Sequence, residues 1–572
     1  MSDVSAETAP ARTGGPTDAR ERSTDARQRP PQDRLVDRRD FVARMGALAA
    51  IAAAGGCTLP REAGPAPPPP ETAEGVRAFF QAAPRPDLSR PGRTDPAEFT
   101  AWQAGALIRD DELAATEFLE AHLARIRRWD DLYMAFNHLL ETEGLERAGE
   151  LDGAEPRGLL HGIPLAIKDN YYTAGVPTTA NSHIFRDFVP DFSATAVQRL
   201  EQAGGILVGK TQMGPLATTR ALTPDGEVTT VNAWAPGEPR ISPGGSSSGS
   251  ATAVAARMAA SSIGTQTGGS ITVPSLAQGL TGLKPTMGRV SLYGVIPLTY
   301  TRDHPGPLAR DARDAALLLQ AMAGPDPRDP RTQGLPPVGD YLTAATPVEG
   351  SGGPGLRWPT RVGVLPGWSD GDDEEARQRR AFLRTLEEAG AELVEVELPE
   401  RWSELASGTF NAVRLPERSE PFLEYLKEDV RLFGVSLSSW INGLFISGDE
   451  YLKGQRAKLA LLRLALDELL ADCDVVVQTG HVPFDMIGLP LMALPVGMRE
   501  GDEHPRPRGI LLGAGPFGEE RLLSVAAAYQ ARTDWHMRRP PEPTAGDEAR
   551  LTGPRARSRG RLDVEAVAQR SE

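Results

Sequence analysis

The chain is poor in the residues that build metal centres and disulfide frameworks. Its 572 residues contain two cysteines, Cys57 and Cys473, and eight scattered histidines. No Cys-x-x-Cys pair and no His-Glu-x-x-His helix occurs, so neither a zinc site nor a disulfide scaffold is expected, and the expected metal content is none. A Gly-x4-Gly-Lys phosphate loop is missing as well. Lysine is scarce. Only six of the 62 basic residues are Lys, and the net charge is -15. Such an acidic surface argues against a nucleic-acid partner. With so few amines, each lysine carries more information than usual.

What is present falls into four segments. Residues 1–56 are polar and Arg-rich, then hold Arg38-Arg39-Asp40-Phe41-Val42 followed by the apolar run Ala47–Gly56. A run of about ten residues is too short to span a bilayer, which takes about 20. With a twin arginine ahead of it, the run reads as a twin-arginine export signal. Ala54-Gly55-Gly56-Cys57 adds a lipoprotein-type cleavage site, which makes Cys57 an expected lipidation site and membrane tether, and places the mature chain in the periplasm or at the cell surface. Residues 57–94, with Pro67–Pro70, read as a stiff Pro-rich tether. Residues 95–540 alternate amphipathic helices with short apolar strands, the α/β pattern. Helices are expected at Glu112–Trp129, Val197–Ala203, Glu374–Ala389 and Arg456–Ala471. Strands are expected at 162–167, Gly204–Gly209, Leu393–Leu398 and Asp474–Gln478. Gly350–Gly355 reads as a surface loop, and residues 541–572 as a disordered tail.

Two Gly/Ser clusters dominate the middle of the chain: Gly244-Gly245-Ser246-Ser247-Ser248-Gly249 and Gly268-Gly269-Ser270. The Ala-rich stretch Ala251–Ser261 joins them and has helical potential, so the first cluster is a loop-to-helix junction whose hydroxyls are suited to capping. Gly245–Gly249 also satisfies the Gly-x-Ser-x-Gly elbow with Ser247 as nucleophile. That motif needs a buried strand just before it, and Asn232–Pro243 has three prolines and no apolar run.

Several stretches together closely resemble the amidase signature family. They are "GIPLAIKDN" (162–170), "PGGSSSGSA" (243–251), "GTQTGGSITVPS" (264–275), "GLKPTMGRVSLYGVIPL" (282–298), "GLPLMALPVG" (488–497) and "GILLGAGPFGEERLLSVAAAYQ" (509–530). The resemblance runs from about Asp95 to Arg539. It implies an α/β/α layered fold around one large mixed β-sheet. It also implies a Ser-cisSer-Lys triad, with Ser270 as nucleophile, Ser246 as proton relay and Lys168 as base. The reaction implied is cleavage of a small-molecule carboxamide without cofactor.

The chemistry is consistent with those roles. A serine needs a base to take its proton, and a lysine serves only when neutral. Moving its pKa from about 10.4 to roughly 7–8 requires burial that costs about 3–5 kcal/mol. The glycines allow close approach of the backbone, so the amides of Thr267, Gly268, Gly269 and Ser270 are expected to face the oxyanion.

Two departures from the family pattern stand out. Many members have Asp where this chain has Gln266 and Arg where it has Thr272. Losing both halves of an ion pair strands no charge, so Gln266 is expected to hydrogen-bond beside an intact triad. Gln212 and Pro215-Leu216 also differ, which makes substrate preference non-transferable. Three functions are therefore weighed: an exported amide hydrolase, a subunit of a tRNA-dependent amidotransferase, and a non-catalytic binding protein on this scaffold. The aromatic residues between 400 and 455 are expected either to line an acyl pocket or to pack a core.

Overall fold

A computed structural model of the chain describes residues 73–83, 95–407, 410–499, 501 and 503–547. The twin-arginine pattern and Cys57 lie outside the described residues.

The described strands are β1 (Phe136–Leu139), β2 (Pro164–Lys168), β3 (Ile206–Thr211), β4 (Ser261–Gln266), β5 (Thr281–Lys284), β6 (His304–Ala309), β7 (Val348–Gly350), β8 (Gly353–Gly355), β9 (Thr360–Val364), β10 (Ala391–Glu395), β11 (Val475–Gln478), β12 (Leu491–Arg499) and β13 (Arg506–Ala514). Eleven form one sheet in the order β1-β3-β2-β4-β6-β5-β12-β13-β11-β9-β10. β2 runs parallel to β3 and β4, and β9 runs parallel to β10 and β11, while the strands between are antiparallel. The expected α/β class and single large mixed sheet are thus present.

β7 and β8 make a separate two-stranded hairpin where a loop was expected. β6 carries Pro305 and Pro307, which lack a backbone donor. Both sit where only β4 pairs with β6, beyond its short pairing with β5.

The Ser248–Ala255 helix is buried along its whole length. A helix with no solvent face needs small or apolar residues all round, which accounts for its Ala, Ser and Gly content. It packs in one core with Leu119, Leu123 and Ile126, the face expected of the Ala115–Tyr133 helix. The helix ends before Ser261, which opens β4. The capping expected of the first serine cluster is not made. Ser247 occupies the N-cap without a side-chain cap bond, and the Ser248 hydroxyl instead donates to the Gly244 carbonyl. Ser247 is fully buried with its Oγ turned towards Gly264, so an exposed elbow nucleophile is excluded.

Boundaries shifted where tertiary contacts set them. The Ala115–Tyr133 helix starts three residues later than expected because Asp152 caps it, accepting from the Ala115 amide at 2.6 Å. The second long helix begins earlier, at Gly448, on a capping box formed by Ser447 and Glu450, and ends in a π turn at Ala465–Leu469.

Two stretches read as unstructured carry structure. Ala73–Gln81, inside the supposed tether, is a helix. Phe79 stacks on Trp102 and Phe80 lies under the Arg109 guanidinium. The start of the supposed tail is docked as well, with Glu542 paired to Arg125 and Arg539. Of the aromatic residues in 400–455, Trp402, Phe422, Phe433 and Trp440 are core.

Candidate active site

Lys168 is the last residue of β2, beside the carboxyl end of β4. The strand is apolar and buried, so the side chain that ends it has no route to solvent and is 0% exposed. Its Nζ donates to Ser246 Oγ at 2.8 Å, to Thr265 Oγ1 at 2.9 Å and to the Thr265 carbonyl at 3.2 Å. No carboxylate lies within ion-pair distance of it among the described residues. Burial without a counter-charge lowers its pKa to about 7, with Asp303 opposing weakly from further away.

Lys210, on the adjacent strand, is the instructive contrast. It is equally buried but pairs with Asp169 at 3.2 Å and donates to the Tyr171 carbonyl and the Thr178 hydroxyl. Burial lowers its pKa as well, against the pull of Asp169. Of the two neighbouring amines, only Lys168 reaches a serine.

Ser246 follows a cis peptide bond from Gly245 and is 1% exposed. Its carbonyl accepts from the Gly214 amide at 3.1 Å. Gly244 takes φ +78°, and a Cβ there would come 2.4 Å from Pro274 Cα. Only glycine allows this contact, which presses the first cluster onto the helix that follows the second.

Ser270 sits between the end of β4 and the Thr272–Gln278 helix and is 8% exposed. Lys168 and Ser246 are thus in direct contact, and Ser270 lies on the loop leaving the strand next to β2.

The loop itself is tied down on several sides. The Thr267 hydroxyl donates to Asp303, and the Thr267 carbonyl accepts from Arg302 at 2.8 Å. Gln266 Oε1 accepts from the amides of Ile271 and Thr272, both at 2.8 Å, and from the Thr272 hydroxyl at 3.2 Å. Gln266 therefore hydrogen-bonds beside the triad as expected, and Thr272 with it.

One expectation is corrected. The Gly269 amide does not face an oxyanion position, because it donates to Asp485 at 2.9 Å. A buried carboxylate needs donors, and Asp485 takes this one. The Thr267, Gly268 and Ser270 amides have no hydrogen bond among the described residues and are available to donate one.

The sequence reading missed Thr265, Asp303, His481 and Asp485. Thr265 lies within the quoted stretch "GTQTGGSITVPS", but Asp485 is 219 residues from Gln266, and no local pattern marks it. Gln212 is one layer out, accepting from Asn181 and Thr229. Phe410 is the aromatic residue that reaches the loop, with its ring 3.4 Å from where a Gly268 Cβ would be and the Arg302 and Arg414 guanidinium groups over it. A cavity of about 730 Å³ lined by Leu276, Trp368, Arg379, Gln478 and Ile510 includes none of the triad residues.

A desolvated amine bonded to a buried serine, beside a Gly-Gly-Ser loop, is an arrangement chemically able to take a proton from a serine hydroxyl. A family model described as Amidase matches residues 117–442. The chain belongs to that family, the amidase signature enzymes, which act on amide C–N bonds as hydrolases or amidotransferases.

Among curated relatives, a glutamyl-tRNA(Gln) amidotransferase subunit from Anaeromyxobacter dehalogenans is 34% identical, over 77% of this chain and 97% of that one. Among solved structures, the native peptide amidase from Stenotrophomonas maltophilia is 30% identical with a TM-score of 0.64, over 78% of this chain and 98% of that one. The corresponding glutamyl-tRNA(Gln) amidotransferase subunit from Thermotoga maritima is 25% identical with a TM-score of 0.59, over 77% and 95%.

Proposed function

We propose that the chain is a self-sufficient amide hydrolase that works through an acyl-enzyme. The observation that carries this reading is the 2.8 Å bond from the carboxylate-free Lys168 amine to Ser246. Ser270 Oγ attacks the amide carbon and passes its proton to Ser246, which hands its own to neutral Lys168. The Gly268 and Ser270 amides receive the developing oxyanion. The proton returns by the same route to the leaving amine, and a water deprotonated by the relay then releases the acid.

A serine-directed fluorophosphonate is expected to label Ser270 stoichiometrically, with the adduct located by peptide mass spectrometry. Absence of labelling in folded protein would reject the nucleophile, and the catalytic reading with it.

The likeness to the glutamyl-tRNA(Gln) amidotransferase proteins favours a second reading, in which this chain transfers ammonia supplied by a partner. Steady hydrolysis of simple aliphatic, aromatic or amino-acid amides by the purified chain alone decides for the hydrolase. Activity that appears only with added partner proteins and tRNA decides for the transferase.

We further propose export, on the twin-arginine pattern and the apolar run after it, with Cys57 as lipid anchor. Cell fractionation is expected to find the chain outside the cytoplasm, and Arg38→Lys with Arg39→Lys to retain it inside.

A further inference from the structure

Asp485 and its neighbour His481 belong to no part of the triad, yet they are built into its loop. Asp485 lies on the Val482–Ile487 helix and is 0% exposed. Its Oδ2 accepts from the Gly269 amide at 2.9 Å and from His481 Nδ1 at 2.8 Å. Its Oδ1 accepts from Gln266 Nε2 at 2.7 Å and lies 3.9 Å from Lys284 Nζ. Burial pushes this carboxyl up, but the bonds from His481 and Gln266 and the charge of Lys284 hold it below its ordinary value, so it is a carboxylate. The other charged or titratable groups that act on this cluster are Arg302, just before β6, and His304 in β6. The His481 ring stands against Gly269, with Nε2 2.8 Å from where a Cβ would be.

The hydrogen bonds on either side of the nucleophile form one unit. Asp485 holds the amide just before Ser270, Gln266 holds the two amides just after it, and Gln266 and Asp485 are bonded to each other. Three anchor points, at 269, 271 and 272, therefore depend on a single carboxylate–amide pair. His481 and Lys284 keep the carboxylate charged and oriented. No other side chain among the described residues accepts from these three amides.

We propose that Asp485 and His481 are positioning residues for Ser270, and that in this chain the charge that fixes the nucleophile loop resides on Asp485 rather than at position 266. The proposal rests on the hydrolase reading for its kinetic arm only. Asp485 touches no reacting atom. It acts by keeping Ser270 and its free amide in place, and by taking up the Gly269 amide so that the Gly268 and Ser270 amides are the ones turned to the substrate. A loop displaced by about 1 Å costs roughly 10²-fold in rate.

The test exchanges acid and amide within the pair without changing the shape of either side chain. Asp485→Asn removes the charge and is expected to lower kcat about 10- to 100-fold, with KM moving less than about threefold. Gln266→Glu sets two carboxylates in contact and is expected to lower kcat more, about 10³-fold. The double variant, Gln266→Glu with Asp485→Asn, restores one acid and one amide and is expected to return kcat to within about tenfold of the parent. His481→Gln, at a partly exposed side chain, tests the support without emptying the core and is expected to cost about fivefold in kcat.

Hydrogen–deuterium exchange over residues 264–276 gives a reading that needs no substrate. It is expected to quicken in Asp485→Asn and His481→Gln and to slow again in the double variant. Unchanged exchange and kcat in Asp485→Asn, or a double variant no better than the worse single one, overturns the proposal. If the parent cleaves no amide, the hydrolase reading fails and the exchange result alone decides the role of Asp485.

Discussion

Ser270→Ala is expected to abolish amide cleavage, lowering kcat/KM by roughly 10⁵-fold, while leaving a folded chain. The size follows from the chemistry. Without the oxygen there is no acyl-enzyme, and what survives is the contribution of the oxyanion donors and substrate binding. The side chain is small and largely buried, and Ala fits the same space, so unfolding free energy should stay within about 1 kcal/mol of the parent. Rates with an amide substrate, thermal unfolding and loss of fluorophosphonate labelling check the three parts together. Retained cleavage would move the nucleophile elsewhere in the chain.

Lys168→Met is expected to lower kcat/KM by about 10³-fold, within the range for loss of a positioned base. The parent rate should rise with pH and level off above about 7, the pKa that burial gives Lys168, and the variant should lose that rise. Stability should respond to pH through the same group. The folded chain releases the Lys168 proton near pH 7, and the unfolded chain only near ~10.4. Between those values the unfolded chain holds the extra proton, so the Lys168 contribution to stability increases with pH across that window. Below it the cost of the buried ammonium is at full size, on the order of several kcal/mol. The methionine variant carries no such cost. Its gain in melting temperature should be largest at or below pH 7 and should shrink as the pH approaches ~10. A pH series of thermal melts on both proteins reads the effect directly.

The parts of this site that the sequence disclosed are those with a local signature. β2 is an apolar run that stops at a lysine, and the two Gly/Ser clusters lie twenty-four residues apart with a small-residue helix between them. β4 lacked such a signature. "SSIGTQ" looks like a polar surface strand, yet all six residues are buried. Two of its three hydroxyls find partners inside the protein, with Ser262 donating to the Ala166 carbonyl at 2.7 Å and Thr265 accepting from Lys168 and Asn170. A polar residue can sit in a core when its partner is supplied by the fold, and that partner comes from another strand.

The same holds for Asp485, whose partners are Gly269 and Gln266, and for the cap that Asp152 places on a helix starting 37 residues earlier. The Ala73–Gln81 helix was hidden by its Pro-rich flank. It has only Val76, Phe79 and Phe80 as an apolar face, and those phenylalanines find cover on Trp102 and Arg109. In each instance the missing information was long-range, a donor or a surface brought in from elsewhere in the chain.

Half of the six lysines, Lys168, Lys210 and Lys284, are fully enclosed, and Lys458 is occupied with the Thr301 hydroxyl. Among the lysines, amine-reactive chemistry would therefore find chiefly Lys427 and Lys453, each in a weak surface ion pair. Both belong to the helical excursion between β10 and β11. Protein coupled to an aldehyde or activated-ester support would be grafted through that excursion, at few and defined points, while the enclosed Lys168 amine stays out of the reagent's reach. The arginine-for-lysine economy of this surface makes the chain well suited to oriented attachment without protecting the active site.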